Sequence, residues 1–120
     1  GWQNCLFSGC TILALPSFRD RIPVIVDEVT TLTGPGELVD VVVTERGIAV
    51  NPRRQDLLAA LEGSDLPIRP IEEIKTEVER LVGGAPSRPS LGDEPVAVIK
   101  WVDGTVIDTV WKVPETSEPE

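Results

Sequence analysis

With 120 residues, 41% hydrophobic and 26% charged, the chain is long enough for one ordinary globular domain with its own core. A net charge of -9 repels polyanions and argues against nucleic acid, Arg53-Arg54 being the one dense basic cluster. The early apolar residues are broken by Ser8, Gly9, Thr11 and Pro16, which argues against a signal peptide and a membrane span, so a cytoplasmic location is expected.

The sequence contains no methionine and begins Gly1-Trp2-Gln3-Asn4, which reads as a chain cut out of a longer one. Gly1 to Gly9 are expected to form a ligand-facing loop with Asn4 and Ser8 as donors, or a frayed end. Cys5 and Cys10 can make one disulfide at most, and without histidine they cannot complete a four-ligand zinc site; reduced thiols are expected, and no metal.

The apolar run 10–15, ended by Pro16, has the pattern of a strand buried on both faces. A charged turn follows at 17–21, then two stretches rich in β-branched residues, 22–26 and 39–44, separated by a turn at Gly34-Pro35-Gly36. Ile48 to Val50 form a further strand running into Asn51-Pro52, an N-cap followed by proline at the first helical position. The helix predicted there carries Leu57, Leu58 and Leu61 on one stripe and ends at Gly63.

A second helix begins near Pro70 or Ile71, with Ile71, Ile74, Val78 and Leu81 at helical spacing, and stops at Gly83-Gly84. Glu72, Glu73, Glu77 and Glu79 lie mostly on its wet side. Residues 85–94 are a linker, and 95–102 with 105–113 flank Asp103-Gly104 as a hairpin with a type I′ turn, pairing Trp101 with Val106 and Ala97 with Val110. Four parts result: an α/β body at 1–84 with a mainly parallel sheet, the linker at 85–94, the β-hairpin at 95–113 and an acidic tail at 114–120.

The absence of histidine removes every mechanism with an imidazole base from these residues. No glycine-rich phosphate loop or dinucleotide fingerprint is present. The expected crevice lies at Thr44, Glu45 and Arg46, at a strand end where open α/β sheets bind ligands. Arg53 and Arg54, in the first turn of their helix, oppose its dipole, so an anionic ligand or a carboxylate on a neighbouring subunit is one reading and weak surface pairing the other.

The segment Arg21-Ile22-Pro23-Val24-Ile25-Val26-Asp27-Glu28-Val29-Thr30-Thr31, then Pro35-Gly36, then the run from Val39 through Thr44-Glu45-Arg46-Gly47 to Asn51-Pro52-Arg53, resembles the C-terminal region of citrate lyase alpha chains. The hairpin from Val96 to Asp108 is similar to the end of the same family. The resemblance implies a partial, Rossmann-like CoA-transferase half-domain with a C-terminal β-hairpin. It also implies citrate CoA-transferase activity, in which citrate replaces acetyl on the thiol of an acyl carrier protein. The CoA-like prosthetic group belongs to that carrier. Implied partners are the beta (lyase) subunit and the acyl carrier (gamma) subunit, in an oligomeric complex acting on citrate and an acetyl thioester.

The nucleophilic glutamate of such transferases lies in a motif upstream of the matched region and is not found here. No catalytic residue is therefore assigned; the substrate-binding candidates are Asn4, Ser8, Thr44, Glu45, Arg46 and Arg53, and the fragment alone is expected to be inactive. The alternatives are a fragment of another carboxylic acid CoA-transferase and a non-catalytic ligand-binding or structural module.

Overall fold

The computed structural model describes residues 2–84 and 89–114, so the acidic tail from 115 and the linker at 85–88 lie outside the described residues. In chain order it contains α1 (Trp2–Phe7), β1 (Ile12–Ala14), β2 (Phe18–Arg19), β3 (Ile22–Pro23), a 3₁₀ turn (Gly36–Leu38), β4 (Val41–Thr44) and β5 (Gly47–Val50). Then come α2 (Gln55–Ala60), α3 (Ile71–Val82), β6 (Pro95–Lys100) and β7 (Val106–Trp111). Two compact units result, one from residues up to 27 together with those from 36 onward through α3, the other from 28–35 together with β6 and β7. Residues 28–35, counted within the body from sequence, thus group with the hairpin; Leu32 N donates to Asp108 Oδ2 at 2.6 Å.

The first unit is built on a sheet of order β1-β4-β5. β1 runs parallel to β4, whereas β4 and β5 form an antiparallel hairpin, so the sheet is mixed and not mainly parallel. Only two residues, Glu45 and Arg46, separate β4 from β5, and a loop that short can join only antiparallel strands. Residue Ile68 adds a parallel bridge to Ile48 beyond β5. The observed architecture is a small mixed α/β unit.

Its core is formed by Ile74 and Val78, one turn apart on α3, with Val41 and Ala49 from the sheet. Helix α3 packs on β3 and β5. It follows the expected bounds because both ends are defined locally. Pro70 enters extended, Glu72 and Glu73 complement the positive end of the helix, and Gly83 takes the left-handed conformation, φ 98°. Its charged face departs from expectation: Glu77 and Glu79 are half-buried in ion pairs with Arg46, Arg69 and Lys75.

Several sequence expectations are corrected. The first strand exists but is exposed along its length, because it occupies an edge of the sheet. The first nine residues are not a loop throughout, since α1 spans Trp2–Phe7. The stretch 22–26 is a strand only at Ile22–Pro23, paired with β2. Helix α2 begins at Gln55, so Arg53 and Arg54 precede it. Asn51 spends its side chain elsewhere: Oδ1 accepts from Arg53 N at 3.0 Å and Nδ2 donates to Val39 O at 3.0 Å, which makes a turn in place of a helix cap.

In the second unit β6 and β7 pair antiparallel with Ala97 opposite Val110, as expected, but Lys100 and not Trp101 faces Val106. The hairpin loop is longer than a type I′ turn. Trp101 N donates to Thr105 O and Gly104 N to Trp101 O, Asp103 caps Thr105 N, and Gly104 alone has positive φ in the loop. A three-residue loop with one left-handed glycine forces a bulge, and the bulge shifts the register beyond Ile99.

Candidate functional site

The carboxyl ends of the parallel pair β1 and β4 converge on Ser17 and on the turn Glu45-Arg46. Leu15 N still donates to Val43 O at 3.0 Å, which carries the chain alongside β4 as far as Pro16 and places Ser17 beside the turn. Ser17 is fully buried, and it donates to both oxygens of Glu45, from N at 2.9 Å and from Oγ at 2.5 Å. Thr44 is buried at the base of the turn, where Oγ1 donates to Gly47 O and accepts from Arg46 N, both at 3.1 Å.

Arg46 reaches toward α3, with its Nε 3.7 Å from Glu45 Oε2. Its Nη1 lies 2.7 Å from Glu77 Oε2, and its guanidinium sits over the Phe18 ring, 5.7 Å from the centroid. Arg69 takes the other Glu77 oxygen at 2.8 Å and donates from Nη1 to Arg46 O at 2.8 Å. The expected crevice at 44–46 is therefore filled by the protein's own groups. Two guanidiniums, those of Arg46 and Arg69, face Glu45, Glu73 and Glu77, so neither of them is left unbalanced for an anion.

The carboxylates respond as their donors dictate. Ser17, through hydroxyl and then backbone N–H, holds the Glu45 carboxyl below its ordinary value of 4.5, and Arg46 and Arg69 do the same for Glu77. Both oxygens of Glu45 are occupied and its charge is stabilised, which makes it a poor nucleophile and a poor acid. Because the folded value lies below the unfolded one, the Ser17–Glu45 bonds stabilise the fold above about pH 4.5 and lose that contribution as pH falls through the depressed value. Ser17→Ala is expected to move the Glu45 titration back toward 4.5 and to raise the midpoint of acid unfolding, as read by carboxyl NMR shifts and circular dichroism against pH. An unmoved Glu45 titration would show that the hydroxyl is not the cause.

A second cluster lies at the amino end of the same strands. Arg54 Nη1 lies 2.9 Å from Asp40 Oδ1 and donates to Gly9 O at 3.2 Å, while Nε and Nη2 grip Asp56 at 3.0 and 2.9 Å. The other Asp40 oxygen accepts from Thr11 N at 2.8 Å. The Thr11 N–H, with Arg54 beside it, lowers the Asp40 carboxyl, and Arg54 brings Asp56 down to about 2. Arg54 is thus committed to joining three distant segments. Arg53, one residue earlier, is 65% exposed and among the described residues pairs with Glu37, itself 60% exposed, at 3.0 Å.

The six sequence candidates fall into two groups. Asn4 and Ser8 are exposed on or just after α1, and α1 rests on the 3₁₀ turn that carries Glu37, the partner of Arg53. Thr44, Glu45 and Arg46 lie a strand's length away, roughly 13 Å for four residues. One small ligand does not bridge both groups. Asp40 and Ser17 organise these ends and were not foreseen; Arg54 was singled out with Arg53 for an anionic partner, and its partners are Asp40 and Asp56 of the same chain.

An apolar cavity of about 290 Å³ opens at the amino end, lined by Val39, Val41, Ala49 and Ile71 with Asp40 and Asn51 at its polar side. Among the described residues no group of three or more cysteine and acidic side chains could hold a metal ion, and no helix is long and apolar enough to cross a membrane. Cys5 and Cys10 are free thiols.

The sequence profile of the citrate lyase alpha subunit family matches residues 2–113. The chain belongs to the citrate lyase alpha subunit family. It is 44% identical over 102 residues to the citrate lyase alpha chain of Haemophilus influenzae, covering 85% of this chain and 20% of that one. Against the Klebsiella pneumoniae citrate lyase alpha chain it is 45% identical over 103 residues, with 86% and 20% covered. The crystal structure of the putative alpha subunit of citrate lyase from Streptococcus mutans, in complex with citrate, superposes with a TM-score of 0.83 at 43% identity, over 88% of this chain and 21% of that one. The chain spans about a fifth of the length of these citrate lyase relatives.

Proposed function

We propose that these residues form part of a citrate CoA-transferase, the alpha component of a citrate lyase complex. In this reading the longer subunit exchanges the acyl group on the CoA-like prosthetic thiol of an acyl carrier (gamma) subunit. Citrate enters, acetate leaves, and the citryl thioester passes to the lyase (beta) subunit. The observation that carries the reading is the family match over nearly the whole chain, supported by the superposition on an alpha subunit solved with citrate.

The unit described here contributes a partial, Rossmann-like half-domain to that enzyme, and the attacking glutamate comes from another part of the longer polypeptide. Glu45 is unsuited to that role because Ser17 occupies both its oxygens. Contact with citrate falls to the amino end, where Arg53 has an exchangeable, solvent-exposed partner and Asn4 and Ser8 are exposed. A cytoplasmic setting suits the free thiols of Cys5 and Cys10.

The test is thioester exchange from an acetyl-loaded carrier in the presence of citrate. A full-length alpha chain carrying this sequence is expected to exchange, and the 120-residue chain alone is expected not to. Exchange by the short chain alone would overturn the placement of the nucleophile, and its absence from the full-length chain would overturn the transferase reading. In the active protein Arg53→Ala is expected to raise KM for citrate with little change in kcat; an unchanged KM would leave Arg53 a surface residue.

A further inference from the structure

The hairpin β2–β3 follows Ser17 at the carboxyl end of β1, and Val24 N donates to Ser17 O at 3.0 Å to close its base. Its loop has only two residues, Asp20 and Arg21, and Asp20 takes φ 57°, a conformation that aspartate tolerates. Opposed residues share a face of a hairpin, so Phe18 and Pro23 lie together and Arg19 and Ile22 lie on the other side. Pro23 is buried, the Phe18 ring lies under the guanidinium of Arg46, and α3 packs against β3, which makes the first face the inner one. Arg19, Ile22 and the loop are exposed, Ile22 at 61%.

The positive charges of this hairpin differ from the others of the first unit. Arg46, Arg53, Arg54, Arg69 and Lys75 each have a carboxylate oxygen within 3.0 Å. Among the described residues neither Arg19 nor Arg21 has an ion pair or a side-chain hydrogen bond, although Asp20 stands between them in sequence. Arg80 is unpaired as well, but it lies in the last turn of α3, where it complements the negative end of the helix. No such account covers Arg19 and Arg21. They draw no ion-pair stabilisation from the fold and leave a local positive spot on a chain of net charge -9.

We propose that the outer face of β2–β3, with Arg19, Arg21 and Ile22, docks the acyl carrier subunit through carboxylates on the carrier's own protein surface. This rests on the reading that the longer alpha subunit exchanges acyl groups on that carrier. Exchange requires the carrier to arrive and leave at every turnover, and transient contacts of that kind use small surfaces on which a few charges steer the approach. A permanent interface with the lyase subunit would call for a broad apolar face, whereas Ile22 is the sole exposed large apolar residue between Phe18 and Pro23. Asp20 argues against a single small anion such as a phosphate of the prosthetic group, because its carboxylate repels an anion seated on both arginines. A protein surface spaces its own charges around it. The carrier presents its thiol on an extended arm, so its body rests at the carboxyl end while the thiol reaches the amino end, a strand's length away.

Arg19→Glu combined with Arg21→Glu in the full-length alpha chain tests this, by calorimetric titration with the carrier subunit and by thioester exchange. The double variant is expected to weaken carrier binding by at least roughly 10-fold and to raise KM for the carrier in step, with kcat and KM for citrate unchanged. Binding by the unaltered chain is expected to weaken as salt rises, and binding by the variant to respond less. Carrier lacking its prosthetic group is expected to bind as tightly as the complete carrier. Unchanged carrier affinity in the double variant would overturn the proposal. So would a carrier that needs its prosthetic group to bind, because the arginines would then hold its phosphates. Arg19→Gln with Arg21→Gln, expected to give a smaller loss in the same direction, decides the matter if the reversed charges disturb folding. The transferase reading fails separately: a carrier that binds but exchanges no acetyl for citrate sinks that reading and leaves the docking face standing.

Discussion

Ile74→Ala is expected to lower stability by about 3 kcal/mol, with the change read from urea denaturation of the chain. Ile74 is fully buried and, with Val78, fills the space between α3 and the sheet. Truncation removes its transfer free energy and leaves a cavity, which the hairpin β4–β5 cannot close without breaking its own ladder. The loss is large against a total of roughly 5–10 kcal/mol for a unit of this size, and it raises the unfolded population by roughly 100-fold. Leu81→Ala, at a position predicted from sequence to share the same stripe but 60% exposed, is expected to change stability by less than about 0.5 kcal/mol. Equal losses at the two positions would show that α3 packs by another face.

Gly47→Ala is expected to cost about 1–3 kcal/mol through two separable causes. Gly47 has φ 149°, a conformation that residues with a side chain rarely adopt, and a Cβ there would lie 2.7 Å from Arg69 Cδ and 3.2 Å from Pro67 O. The side-chain clash can be relieved only if Arg69 moves, and moving it loosens the bonds to Glu77 and to Arg46 O. In an Arg69→Ala background the penalty of Gly47→Ala should shrink but persist, since the backbone strain and the carbonyl of Pro67 remain. A penalty that vanishes would assign the whole effect to Arg69; one that does not shrink would remove Arg69 from the account.

Helix α3 was legible because all its determinants are local: apolar residues three and four apart, acidic residues in the first turn and a glycine pair at the end. The hairpin β4–β5 was legible as two strands, and its antiparallel direction was legible too, in the two-residue connection Glu45-Arg46, which a mainly parallel sheet leaves out of account. Asn51-Pro52 carried a sound helix-start signal and still misplaced α2, because the Asn51 side chain found Val39 O and Arg53 N in place of the helix end. The same competition decided the candidate site. Thr44, Glu45 and Arg46 were rightly located at a strand end, yet each hydrogen-bonds there within the protein, Thr44 to Gly47, Glu45 to Ser17 and Arg46 to Glu77, 3 to 31 positions away.

The exchangeable arginine at the amino end shows the same division at the scale of one residue. Composition placed Arg53 and Arg54 together, and nothing in the sequence distinguishes them. The fold separates them, binding Arg54 to Asp40, Asp56 and Gly9 O while leaving Arg53 exposed opposite Glu37. What the sequence determined by itself was the family, the helix α3, the presence of strands and turns, and the absence of histidine chemistry. These depend on residue type and near-neighbour spacing. The tertiary structure alone decided which charges are consumed, which strand lies at the edge of the sheet and where the two ends of the sheet lie. Those outcomes depend on long-range pairing that brings Thr11 to Asp40, Ser17 to Glu45 and Arg46 to Glu77, and local chain physics does not encode it.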